Sequence, residues 1–261
     1  MLSSAQVAAS AAASHVLATT GTAPSPLWYT ARATGVVALL LLTLTVGLGV
    51  AGSTRLSTPG LPRLVRSGLH RNISLLSVAF VVTHVLTTTL DPYASISITS
   101  AIVPFSSHYR PFWLSLGTIA FDMLLALVLT SMIRTRLSYR TWRAVHWLAY
   151  ASWPVALWHG LGTGTDSKVS WLLLLDAACV LVIAAAALWR LQLLPPGRAR
   201  AIGRAATAAI MAATVIFAVI GPLQSGWARR AGTPSSLLGS AHASASQVTH
   251  ARATTTPGGS A

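Results

Sequence analysis

Apolar residues in this chain gather in long, nearly unbroken runs, not in the alternating or three-and-four-spaced stripes of a soluble fold. A helix needs about 20 such residues to cross a bilayer. The first run covers residues 34–50 and extends back towards Leu27, with Trp28 and Tyr29 as interfacial anchors. The others cover 70–90, 112–133, 141–161, 170–189 and 205–220. Asp91-Pro92 ends the second and Gly221-Pro222 the sixth. Between the second and third, the shorter apolar piece 96–105 suits a helix lying on the membrane surface. In the basic segment after the first run, Pro62 suits a helix start. The pattern predicts an all-α polytopic membrane protein, a six-helix transmembrane bundle over residues 28–222. Tails at 1–27 and 223–261, rich in Ala, Ser and Thr, are expected to be disordered.

Composition agrees with that reading. Only 8% of the 261 residues are charged, against about 25% in a soluble domain. The net charge of +14 would suit a nucleic-acid binder, but the basic residues lie in short clusters between apolar runs, which is a topology signal. No nucleic-acid partner is therefore expected; the surroundings are membrane lipid. The loops after runs one, three and five hold twelve of the 18 Lys and Arg. That places these loops in the cytoplasm and both termini outside, in a multi-pass protein of the plasma membrane. Runs two and four then cross in the same direction. Residues 1–27 lack the basic start of a signal peptide. The single cysteine, Cys179, rules out a disulfide or a cysteine metal site within one chain.

The candidate chemistry is histidine. Run two carries His70 and His84, and run four carries His146 and His159. An imidazole in hydrocarbon needs a partner, and haem iron accepts one on each face. Separations of fourteen and thirteen residues are about 21 and 19.5 Å of helix rise. Parallel runs would thus pair His70 with His146 near the cytoplasm and His84 with His159 near the outer face, holding two haems between spans two and four. Fourteen residues bring His84 back to within about 40° of His70, but thirteen turn His159 about 140° from His146. Pro154, between the latter two, is the expected point of re-phasing. Arg66, Arg71 and Arg143 are candidates to neutralise propionates at the inner pair, and His108 and Arg110 at the outer. The same residues serve equally well as topology-setting loop charge. Asp122 and Asp176 lie in spans and read either as proton relays or as hydrogen-bonded structural groups. His15, His242 and His250 lie in the tails and carry no assigned role. Trp142, Trp147, Trp153 and Trp158 read as packing and interfacial anchors.

The two spacings, with the stretches Arg71-Asn-Ile-Ser-Leu-Leu-Ser-Val-Ala-Phe and Trp142-Arg-Ala-Val-His-Trp-Leu-Ala-Tyr, resemble the ferric reductase-like transmembrane family over about residues 35–190. That family includes the membrane domains of NADPH oxidases and ferric-chelate reductases, and the haem subunit of the periplasmic methionine sulfoxide reductase system. The resemblance implies two haems b with His70, His84, His146 and His159 as axial ligands. It also implies electron flow from the cytoplasm outwards. Family members that act alone add an FAD- and NADPH-binding module, and this chain has no such site. The implied donor is a separate flavoprotein or a quinol, and the acceptor lies on the outer side. Two other readings stay open: an anchor subunit feeding a separate periplasmic or surface reductase, and a haem-free transporter relaying protons.

Overall fold

The computed structural model describes residues 25–53, 63–92, 96–107, 109–163 and 169–223. The described residues are almost all helical, with no strand among them. Eight α-helices follow in order: α1 Pro26–Ser53, α2 Arg63–Leu90, α3 Ile98–Ile102, α4 Pro111–Met132, α5 Tyr139–His146, α6 Leu148–Thr163, α7 Ser170–Gln192 and α8 Arg198–Leu223. A 3-10 turn, Arg134–Arg136, joins α4 to α5. Most tail residues, the loop with Arg55 and Pro62, and His15, His108, His242 and His250 lie outside the described residues.

Five helices, α1, α2, α4, α7 and α8, are long and apolar enough to cross a membrane. Their outer faces carry large apolar side chains such as Leu86, Leu129, Leu174 and Val215, as expected of helices facing lipid. Hydroxyls within these helices return to the carbonyl one turn back, as Thr83 does to Ala79 at 2.9 Å and Ser77 to Ile73 at 2.8 Å. That satisfies them without water. The apolar piece after α2 forms the short α3, capped by Ser97, whose side chain accepts from the Thr99 amide. Its exposed Ile98, Ile102 and Val103 fit a membrane surface.

The expected fourth span is in two parts. Ser138 caps α5 by accepting from the Thr141 amide, and α5 ends at His146. The Trp147 amide is shared between the Arg143 and Ala144 carbonyls, and the Tyr150 amide bonds Trp147 at three-residue spacing. This tighter turn re-phases the chain directly after His146. Pro154, the expected point of re-phasing, lies inside α6, which continues through it. The tighter turn at Trp147 is a second departure from regular helix between His146 and His159.

Packing defines the site. α2 lies along α1, and α6 lies along α4, whereas α2 and α6 barely touch. α7 packs on α1, and α8 on α7. The core cluster of Leu42, Val46, Trp153, Leu157, Leu161 and Cys179, with Val81 against it, fills the middle of the bundle. Trp153 Nε1 donates to Thr43 Oγ1 at 2.8 Å, so the buried indole is satisfied.

Candidate functional site: two histidine pairs between helices

The four half-buried histidines meet in two pairs across the gap between α2 and the α5–α6 segment, His146 ending α5 and His159 lying in α6. The rings of His70 and His146 have centroids 6.5 Å apart, and those of His84 and His159 are 6.2 Å apart. Their planes cross at 69° and 76°. Since the lower-numbered histidine of α2 meets the lower-numbered one of the α5–α6 segment, the two run parallel.

These distances have a chemical meaning. An imidazole nitrogen sits about 2.0–2.1 Å from a bound metal, and the ring centre lies about 1.1 Å further out. Two imidazoles on opposite faces of one metal therefore have centres roughly 6.3 Å apart. Both pairs match that value. Among the described residues no three His, Cys, Asp or Glu side chains converge on a bare metal ion. Two imidazoles at that separation suit a metal whose other ligands come with a macrocycle, as in haem.

Three of the rings are oriented by backbone carbonyls. His84 Nδ1 lies 2.7 Å from the Ala31 carbonyl, and His70 Nδ1 lies 3.1 Å from that of Thr45. His159 Nδ1 lies 2.9 Å from the Trp113 carbonyl. A carbonyl only accepts, so each Nδ1 carries the proton and donates it, leaving Nε2 as the lone-pair nitrogen. That is the tautomer and the outer-shell bond a metal-binding histidine uses.

Each of these carbonyls is followed four residues later by glycine: Gly35 after Ala31, Gly49 after Thr45, Gly117 after Trp113. Side chains on a helix lean towards its N-terminus and cover the preceding turn. A side chain at the fourth position would therefore obstruct the carbonyl's remaining lone pair. A Cβ at Gly117 would lie 2.6 Å from Cε1 and Nδ1 of His159. At Gly35 it would lie 3.1 Å from the same atoms of His84, and at Gly49 3.5 Å from Cε1 of His70. On α1 the two carbonyl–glycine sets are fourteen residues apart, as are the two histidines on antiparallel α2. Sequence reading missed these glycines, although the repeated spacing was available to find them.

The His84–His159 pair lines a cavity of about 300 Å³, together with Gly35, Gly117, Arg32 and Asp176. Arg32 also covers the Trp28 ring at 4.2 Å, and its place at this cavity went unread in the sequence. Asp176 faces this cavity from α7, whereas Asp122 is exposed on α4. Arg110 donates to the Gly162 carbonyl. Arg71, next to His70, and Arg143, three residues before His146, are exposed. The side chain of Arg66 and all of His108 lie outside the described residues.

Fold and site together define a multi-pass helical membrane protein with paired histidines between its spans. Residues 34–157 match the family model of the ferric reductase like transmembrane component, so the chain carries a ferric reductase-like transmembrane segment. The match takes in His70, His84 and His146 and ends two residues before His159. No curated protein and no solved structure matches the chain.

Proposed function

We propose that this chain is a di-haem b electron-transfer protein, ferric reductase-like, which carries electrons across the membrane. His70 and His146 would hold one haem and His84 and His159 the other. The observation that supports this best is the pair of imidazole separations, 6.5 and 6.2 Å, both close to the roughly 6.3 Å of two rings on one metal. Each haem, held by two histidines, would supply one-electron chemistry, which suits relay and not gas binding. The chain's own contribution is orientation and insulation. The Ala31, Thr45 and Trp113 carbonyls fix three imidazoles, and the apolar layer around Trp153 and Leu157 excludes water between the two pairs.

In this reading α5 and α6 together make the fourth of six crossings, within a domain spanning 28–222 between two tails. The basic loops face the cytoplasm and both termini lie outside the plasma membrane. His70 and His146 are then the inner pair and His84 and His159 the outer. Electrons enter from a separate flavoprotein or a quinol and leave to an outer acceptor. The chain is thus an oxidoreductase or the electron-transfer subunit of one. Arg71 and Arg143, beside the inner pair in sequence, are the proposed propionate partners there.

Protein purified in detergent should contain two haems per chain by pyridine haemochrome assay. The near-orthogonal ring planes predict strongly anisotropic low-spin EPR signals. Haem-free protein, or a five-coordinate high-spin majority, would sink the proposal.

A further inference from the structure

His146 is held differently from the other three histidines. Its Nδ1 is buried and has no hydrogen-bond partner among the described residues. Its ring instead lies flat against Trp142, with centroids 4.8 Å apart and planes at 23°. The Arg134 guanidinium covers the same indole at 4.5 Å. The sequence of α4 differs at the position that corresponds by spacing. His146 lies thirteen residues before His159, so on antiparallel α4 the counterpart of Trp113 lies thirteen residues after it, at Ala126. The residue four further on is Thr130, not glycine. Its hydroxyl donates to the Ala126 carbonyl at 2.6 Å and reaches that of Leu127 at 3.3 Å. At that position the carbonyl already accepts from a hydroxyl, and a side chain stands where the other three sites have glycine.

We infer that Trp142 is the positioning residue for His146, its indole face taking the part that a backbone carbonyl plays for His70, His84 and His159. This rests on the di-haem reading. A stacked face fixes the plane of an imidazole but leaves it free to rotate within that plane, whereas a directional hydrogen bond fixes both. The ring also lacks the outer-shell acceptor that strengthens a metal-bound imidazole. His146 is therefore the most readily displaced of the four ligands. Arg134 polarises and pins the indole from the 3-10 turn, so the support of His146 is built from the chain just before it.

The test is Trp142→Leu, which keeps apolar bulk and removes the stacking face, with Trp142→Phe as the rescue. Each is purified with its haem and read by EPR and by carbon monoxide binding to the reduced form. In Trp142→Leu one of the two low-spin EPR components should shift or vanish. About half of the reduced haem should then bind carbon monoxide, since one of two irons has lost its sixth ligand. Trp142→Phe should keep both components and stay unreactive. The unchanged component serves as the folding control within the same sample. Trp142→Leu with wild-type EPR and no carbon monoxide binding overturns the inference, as does Trp142→Phe reacting as fully as Trp142→Leu. Both of those outcomes leave the di-haem reading standing; a wild-type protein without haem overturns the two together.

Discussion

Replacing Gly117 with alanine should empty one haem site while leaving the bundle folded. The added Cβ would sit 2.6 Å from Cε1 and Nδ1 of His159, where ordinary contact begins at 3.4 Å, so the ring must retreat by about 0.8 Å. Metal–ligand distances tolerate about 0.2 Å. A retreat of that size also stretches the 2.9 Å bond to the Trp113 carbonyl beyond hydrogen-bonding range. Losing an outer-shell partner of a metal ligand typically lowers affinity by about 10–100-fold, or about 1.4–2.7 kcal/mol. Against this stands the helix preference for Ala over Gly, about 0.5–1 kcal/mol. That preference acts on the bundle with or without haem, so it cannot restore occupancy. Gly117→Ala should therefore melt no lower than wild type in its haem-free form, yet bind close to one haem per chain. Gly35→Ala, at 3.1 Å, should keep both haems with a perturbed spectrum. Gly49→Ala, at 3.5 Å, should keep both unperturbed and gain stability. Haem content per chain and thermal melting in detergent measure the series. Two haems with a wild-type spectrum in Gly117→Ala, or equal losses in Gly49→Ala, would refute the notch argument.

The four histidine-to-alanine variants should fall into two classes. His70→Ala and His146→Ala should lose one redox component, and His84→Ala and His159→Ala the other, as separated by potentiometric titration; a shared loss in His84→Ala and His146→Ala would break the pairing. A reporter fused at the C-terminus should be active only on the outer side; cytoplasmic activity would reverse the assignment of inner and outer pairs.

What the sequence disclosed follows from the length scale of each signal. Apolar runs of bilayer length are coarse features, and five of the six crossings read from them are single helices at nearly the expected places. The pairing of the histidines also follows from spacing, because fourteen and thirteen residues are nearly equal rises on parallel helices. The break at Trp147 depends on a few hydrogen bonds of one turn. Proline draws attention in a sequence, but a helix in a packed bundle can give up one hydrogen bond and continue, as α6 does at Pro154. The notch glycines are harder to see, because glycine in a membrane helix is common and equally serves close packing. What distinguishes them is their place four residues after a carbonyl that meets an imidazole of another helix, and the fourteen-residue repeat on α1 is the one sign of it in the sequence. Arg32 was counted as one basic residue among eighteen, since its place over Trp28 and beside the His84–His159 cavity is a tertiary fact.

That tertiary level changes which helices matter. α2 and the α5–α6 segment bear the paired histidines, yet α2 and α6 barely touch, so neither sets the gap between the rings. The gap is set by α1, which holds α2 through Ala31 and Thr45, and by α4, which holds α6 through Trp113. In lipid, helices gain little from burying apolar surface against each other, and small residues that allow close approach carry much of the packing. Gly35, Gly49 and Gly117 do this at the points where a ring must also reach a carbonyl. Close approach and ring orientation thus depend on the same three positions. The fourth ring, His146, has no carbonyl partner among the described residues, and α5 brings its own support in Trp142. A bundle assembled this way orders three of the four rings through its own backbone and leaves the fourth, where α5 ends, to side-chain stacking.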